Sequence, residues 1–303
     1  MAAVNQDSNR LIRSKMLGYM LALRPWSFAA SFVPVLLGTV LSYNQTKSFS
    51  LMIFILTVIV TLSVHGAGNL VNTYYDFHLG VDCDGADDRT LVDHLLTADE
   101  VVRFGAMLYT IACIAFAAIV YFSPARMEVL AFAFFGGLSS SFLYTGGFGF
   151  KYYALGDIII FLAFGPIAVL FAFICQAGIC IISVAYYAFP VVLVTEAILH
   201  SNNARDLEFD KRAGIITLAI ILGDKRSYIL YVILLFTPYL LFTFMAIFLS
   251  PYYALPILTI FSALGLQKQY RQQNLKILPV ATARLNLILG ILYVISCFLT
   301  GDL

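Results

Sequence analysis

Residues 51–78, LMIFILTVIVTLSVHGAGNLVNTYYDFH, decide the fold. From Leu51 to Val64 the stretch is uncharged and mostly aliphatic, and with its continuation it exceeds the roughly 20 residues that span a bilayer as a helix. Its second half is different. His65, Asn69, Asn72 and Asp76 recur at spacings of four, three and four, which puts a polar stripe on one helix face. A charged side chain at mid-membrane costs about 2.5–3.5 kcal/mol even on the lenient insertion scale, so the stripe is expected to face the inside of a bundle and not lipid.

The rest of the chain reads the same way. Of 303 residues 61% are hydrophobic and only 12% charged, and the mean hydropathy is +0.90; a soluble domain carries about 25% charged residues. The chain is an integral membrane protein. Candidate spans lie near 19–43, 51–78, 100–122, 127–145, 154–178, 180–204, 226–249, 251–267 and 284–300. Backbone polar groups must be satisfied inside lipid, so such apolar runs are helices. The expected fold is all-α, with about nine transmembrane helices in one bundle over residues 19–303. Residues 1–18 form a polar, basic tail without the apolar core of a cleavable signal, so the first span is expected to serve as the signal and stay. The five cysteines are odd in number and form no CxxC, which argues against a disulfide framework or a zinc site.

Charge is distributed unevenly. With nine spans, 16 of the 18 Lys and Arg fall on the side of the N-terminus, leaving Lys47 and Arg126 on the other. By the positive-inside rule that basic side faces the cytosol.

Two polar segments interrupt the apolar pattern on that side. Asn72-x-x-x-Asp76 followed by Asp82 is matched by Asn202-x-x-x-Asp206 followed by Asp210. Four-residue spacing stacks each Asn above its Asp, so each helix presents an amide oxygen and a carboxylate in one direction. Hard oxygen donors gathered in this way suit Mg²⁺, which takes few carboxylates and completes its shell from water and substrate phosphate. Two such stations face to face are suited to hold a diphosphate through a pair of Mg²⁺ ions. Asp84, Asp87, Asp93 and Asp99 are equally well explained as solvated caps of helix ends.

These stations resemble the Asp-rich motifs of the UbiA superfamily of intramembrane prenyltransferases. The blocks LALRPWSF (21–28), HGAGNLVNTYYDF (65–77), DDRTLVD (87–93), FLYTGGFGFKY (142–152) and TEAILHSNNARD (195–206) look in particular like its animal, menaquinone-4-forming branch, over about residues 17–300. The resemblance implies a helix bundle around a central cavity with a cytosolic cap. It further implies Mg²⁺-dependent transfer of a geranylgeranyl group from geranylgeranyl diphosphate to menadiol. Carried over residue by residue, Asp76, Asp82, Asp206 and Asp210 are the metal residues, with Asn72 and Asn202 beside them at the diphosphate. Many family members have Asp four residues after the first Asp, where this chain has Gly80, so Asp82 and Asp84 both stand as candidates for that ligand. Lys151, Arg89 and Arg205 are the candidate cations for the diphosphate, and Tyr144 is a candidate for the same cavity. Glu196, His200 and Asn203 share one helix face and are candidates for a quinone or proton role. Trp26 is read as an interfacial anchor, and the Gly pairs 136–137 and 146–147 as sites of close helix approach or of turns.

Other readings remain open at this stage. A cation-coupled transporter also carries intramembrane acids, but nearer the bilayer midplane. Another acceptor, such as 4-hydroxybenzoate, would leave the metal stations unchanged. The resemblance also suggests a sterol-regulated complex with HMG-CoA reductase, and endoplasmic reticulum, Golgi or mitochondrial membranes as the location.

Overall fold

A computed structural model describes residues 14–83 and 85–301. Among them every regular element is helical, and the one strand-like contact is an isolated bridge between Tyr153 and Ile216. Seven helices are long and apolar enough to cross a membrane: α1 (Ser14–Thr46), α2 (Leu51–His78), α3 (Ala98–Phe122), α5 (Gly156–Ala177), α6 (Ile182–Arg205), α8 (Leu218–Phe248) and α10 (Leu278–Thr300). Between them stand α4 (Met127–Leu143), the short α7 (Leu207–Arg212) and α9 (Ile260–Arg271).

Two expected spans take other forms. The 127–145 span becomes the 17-residue α4, which stops before the Gly-rich turn at 146–149. The 251–267 span divides into a 3-10 segment, Pro251–Thr259, and α9, because Pro251 and Pro256 lack the N–H that an α-helical ladder needs. The N-terminal tail lies outside the described residues up to position 13.

Helix ends follow from local sequence. Thr97 and Glu100 cap α3 reciprocally, each side chain accepting the other's backbone N–H. Arg24, ahead of Pro25, adopts φ 50° and ψ 57° and breaks α1 into two rods joined by a 3-10 turn, Pro25–Phe28. In α5, Gly165 (φ −107°, ψ −106°) and Pro166 open a π-type turn, Ala163–Ile167.

Lipid is as apolar as leucine, so close backbone approach and not hydrophobic burial holds such helices together. Gly38 is the clearest case: a Cβ there would lie 2.3 Å from the Val169 carbonyl oxygen, so α1 and α5 touch backbone to backbone. A Cβ at Gly136 or Gly137 would meet nothing within 4 Å, so that pair is no point of close helix approach. The 28 residues of α2 extend ~42 Å at 1.5 Å per residue, more than the ~30 Å hydrocarbon core. Its last turns, with Asn72 and Asp76, therefore stand at the edge of the hydrocarbon.

Candidate active site

Three chain reversals build one polar cleft. After α2, Gly80 takes φ 73°, and the Asp76 carbonyl accepts the N–H groups of Val81 at 2.8 Å and Asp82 at 3.2 Å. That turn folds Asp82 back beside Asn72 and Asp76, and it explains the glycine at position 80: the left-handed region favours Gly over Asp. After α6, Asp206 caps the helix, and α7 carries Asp210 to Gly214 (φ 74°), where Ile215 N–H returns to the Asp210 carbonyl at 2.9 Å. The third reversal uses Gly147 and Gly149, both at φ 61°, and delivers Lys151, whose N–H donates to the Tyr144 carbonyl at 2.8 Å. Ile216 N–H donates to the Tyr152 carbonyl at 3.2 Å, which ties this loop to the segment after the second station.

Each Asn/Asp pair is held by one cation. Lys151 Nζ donates to Asn72 Oδ1 at 3.0 Å and to Asp76 Oδ2 at 2.5 Å, while the Tyr152 hydroxyl donates to Asp76 Oδ1 at 2.9 Å. Across the cleft, Arg205 Nη2 donates to Asn202 Oδ1 at 2.8 Å and to Asp206 Oδ2 at 2.7 Å, and Nε donates to Asp206 Oδ1 at 2.8 Å. Arg205 Nη1 also lies 2.9 Å from Asp87 Oδ2. A third buried pair, Arg24 with Asp88 at 3.0 Å, is completed by the Thr73 hydroxyl at 2.6 Å and the Thr90 N–H at 2.9 Å.

The carboxylates crowd one another. Burial, reinforced by Asp76 and Asp88, pushes the Asp82 carboxyl up to about 8. Burial also raises Asp210, to about 6, with Asp206 and Asp76 adding to the rise and Lys151 and Arg205 opposing it. Burial would raise Asp88 as well, but Arg24 and the hydrogen bonds from Thr73 and Thr90 outweigh it and hold this carboxyl at about 2. Such oxygen-only crowding fits a hard divalent cation. Among the described residues no three acidic, His or Cys side chains form a ready-made cage. The donor set therefore fits Mg²⁺, which uses one or two carboxylates and leaves the rest of its shell to phosphate and water.

Beside the cleft lies a largely apolar cavity of about 220 Å³, walled by α1, α2, α4, α5 and α6, with the π-type turn of α5 in its lining. Arg24, Trp26, Asn72, Lys151, Asn202 and Asn203 line both spaces, so the polar cleft adjoins the apolar one.

The UbiA prenyltransferase family model matches residues 31–299. The chain belongs to the UbiA prenyltransferase family. It is 52% identical to UbiA prenyltransferase domain-containing protein 1 of Xenopus tropicalis over 95% of this chain and 83% of that protein. To the human protein of the same name it is 53% identical, over 95% of this chain and 85% of that one. Among solved structures it is similar to a UbiA homolog from Archaeoglobus fulgidus bound to GPP and Mg²⁺ (TM-score 0.67, 16% identity, 93% of this chain and 99% of that one). It is also similar to an apo UbiA homolog from Aeropyrum pernix K1 (TM-score 0.69, 16% identity, 90% and 98%). At 16% identity these likenesses speak for the fold.

In this UbiA family member the cleft gathers Asn72, Asp76, Asp82, Lys151, Asn202, Asn203, Arg205, Asp206 and Asp210. Tyr144 lines the apolar cavity alone. Arg89 is paired instead with Asp93, four residues on, outside the cleft-lining set. Asp84 lies outside the described residues. Glu196 is 5% exposed, lines neither space, and its Oε1 has no hydrogen-bond partner among the described residues. His200 is fully buried against α8, with Nε2 2.9 Å from the Ser227 carbonyl oxygen.

Sequence reasoning missed Arg24, Asp88, Tyr152 and the place of Trp26, which lines both spaces and is more than an interfacial anchor. Asp87 likewise is more than a solvated cap, since it pairs with Arg205 and lines the cleft. One signal was available. An arginine inside the first apolar run requires a buried acid partner, and the acidic segment 82–93 supplies one.

Proposed function

We propose that this UbiA family prenyltransferase transfers a geranylgeranyl group from its diphosphate to menadiol, forming menaquinone-4 with the help of two Mg²⁺ ions. The observation that carries the reading is the adjacency of the two spaces: a cleft of paired amide, carboxylate and cation groups shares six lining residues with an apolar cavity. An allylic diphosphate has that division, with a charged head and a greasy tail. Two structures of a UbiA homolog from Archaeoglobus fulgidus, bound to GPP and Mg²⁺ and to DMAPP and Mg²⁺, support the head-group assignment.

In this reading Asp76 and Asp82 on one side, and Asp206 and Asp210 on the other, hold the metal ions, with Asn72 and Asn202 as neutral oxygen donors that limit excess negative charge. Bound Mg²⁺ supplies Lewis-acid neutralisation of the departing diphosphate. Lys151 and Arg205 add fixed positive charge where the leaving group gains its own, exchanging part of their contact with Asp76 and Asp206 for phosphate oxygens. The apolar walls exclude water from the allylic cation until the electron-rich ring attacks it. By the positive-inside rule the basic side of the bundle, with the cleft, faces the cytosol; the family resemblance is what suggests an endoplasmic reticulum, Golgi or mitochondrial membrane.

Purified protein given geranylgeranyl diphosphate, menadiol and Mg²⁺ is expected to form menaquinone-4. Product with 4-hydroxybenzoate and none with menadiol would reassign the acceptor. No product with either acceptor would remove the prenyl-transfer reading, and product formed equally well without Mg²⁺ would remove the role given to the metal.

A further inference from the structure

The polar stripe of α2 continues past the cleft. His65 and Asn69 line the apolar cavity, and His65 lies seven residues, ~10 Å along the axis, deeper than Asn72. A titratable ring on an apolar wall needs an explanation, and its hydrogen bonds give it an orientation. Ser27 Oγ donates to the Arg24 carbonyl at 2.8 Å, so its one proton is committed. The same oxygen accepts from Asn69 Nδ2 at 3.3 Å, and stands 3.1 Å from His65 Nε2, which must therefore be the protonated nitrogen. That tautomer leaves Nδ1 as an acceptor, and Ser31 Oγ, 2.6 Å away, donates its proton to it. Phe28 and Phe164 meet the imidazole edge to face, with centroids at 5.3 and 4.8 Å, and hold its plane. Ser31 is itself buried and cavity-lining, and its oxygen keeps lone pairs for a further donor.

We propose that Ser31 and His65 form the subsite that receives the hydroxyl of a hydroxylated aromatic acceptor and hold its proton during ring alkylation. The proposal rests on the prenyl-transfer reading above. The acceptor O–H donates to Ser31 Oγ while the Ser31 proton passes to His65 Nδ1, leaving a phenolate, an intact serine and an imidazolium whose Nε2–H still bonds Ser27. The phenolate ring carbon forms its bond to the allylic carbon, and the C–O bond to diphosphate breaks with the electron pair going to diphosphate. The resulting dienone loses its ring proton, which leaves with the diphosphate, and its oxygen recovers a proton from His65 through Ser31. The net change is exchange of one aryl hydrogen for the prenyl group. Neither His200 nor Glu196 offers an alternative from the cavity wall, since neither lines it.

The test uses the full-length protein in nanodiscs with Ser31→Ala and His65→Gln. Calorimetry measures binding of 2-methyl-1-naphthol and of its methyl ether, and, separately, Mg²⁺-dependent binding of geranylgeranyl diphosphate; transfer to menadiol is assayed alongside. Wild type is expected to bind the naphthol about 10-fold or more tightly than the ether, and Ser31→Ala to bind both alike. His65→Gln is expected to lose transfer by about 10²–10⁴-fold with donor binding unchanged. Equal wild-type affinity for naphthol and ether, or unchanged naphthol preference in Ser31→Ala, overturns the subsite, as does wild-type transfer by a folded His65→Gln. Failure of wild type to bind donor or to transfer at all would strike the prenyl-transfer reading, whereas the naphthol-to-ether comparison would still decide the subsite.

Discussion

Lys151 Nζ stands 2.5 Å from Asp76 Oδ2, in a pair whose side chains are 14% and 4% exposed. The lysine comes from a glycine-rich loop and the aspartate from the last turns of α2, so the contact exists only because the loop folds over the helix end. Arg205 and Asp206 repeat the arrangement on the opposite wall. A cation seated on each station offsets its carboxylates in the free protein, and in the proposed function it also meets the anionic head group.

Lys151→Ala is therefore expected to lower turnover by about 10²–10³-fold, the usual cost of removing one group that stabilises developing charge. The KM for prenyl diphosphate should rise with it, and the acceptor KM should not. Initial rates over both substrates check this; an effect confined to the acceptor would contradict it.

Tyr152→Phe removes only the hydroxyl that donates to Asp76 at 2.9 Å. A hydrogen bond to a charged group contributes about 1.5–3 kcal/mol, so transfer should fall by roughly 10- to 100-fold without loss of fold. The Mg²⁺ concentration for half-maximal rate should change as well, because Tyr152 orients a proposed metal ligand.

Asp88 provides a stability prediction with a definite sign. Its carboxyl sits at about 2 in the folded protein and near 3.9 in an unfolded chain. A depressed folded value means stability that is present above about pH 4 and lost as pH falls toward 2, on the order of 2–3 kcal/mol. Asp88→Asn also leaves Arg24 buried without its partner, a loss of about 3–5 kcal/mol at neutral pH. Thermal unfolding in detergent should show a Tm gap between wild type and Asp88→Asn that is wide at pH 6 and narrows from pH 4 downward. A gap independent of pH would contradict the ion pair.

Gly38→Ala tests the fold independently of the chemistry. Its new methyl group would sit 2.3 Å from the Val169 carbonyl and force α1 away from α5. A cost of about 1–3 kcal/mol is expected for such overpacking, read as a lower Tm, whereas Gly136→Ala, with open space at its Cβ, should leave the Tm unchanged.

How much of this was legible in the sequence depended on the range of the interaction. Asn72 with Asp76, and Asn202 with Asp206, could be read because i and i+4 share a helix face whatever the tertiary structure. In the sequence Gly80 stands out only as a departure from the family pattern; its positive φ shows why a glycine there returns Asp82 to the cleft. Arg24 with Asp88 pairs residues 64 apart, and Tyr152 reaches Asp76 across 76. Local periodicity carries no information at such separations. Hydropathy located the long helices but could not foresee that two prolines would turn the 251–259 segment into a 3-10 helix. His65 is visible as part of the α2 stripe, yet its serine partners lie in α1, Ser27 in the Pro25–Phe28 turn and Ser31 in the rod beyond it.

The most direct test of the central claim is prenyl transfer by the purified protein with geranylgeranyl diphosphate and menadiol, across a Mg²⁺ titration and after EDTA, with Asp76→Ala and Asp206→Ala in parallel. The two-station account predicts Mg²⁺-dependent product in wild type, its loss with EDTA, and losses of at least about 10²-fold in each variant. Full activity in either variant, or transfer that persists without divalent metal, would contradict it.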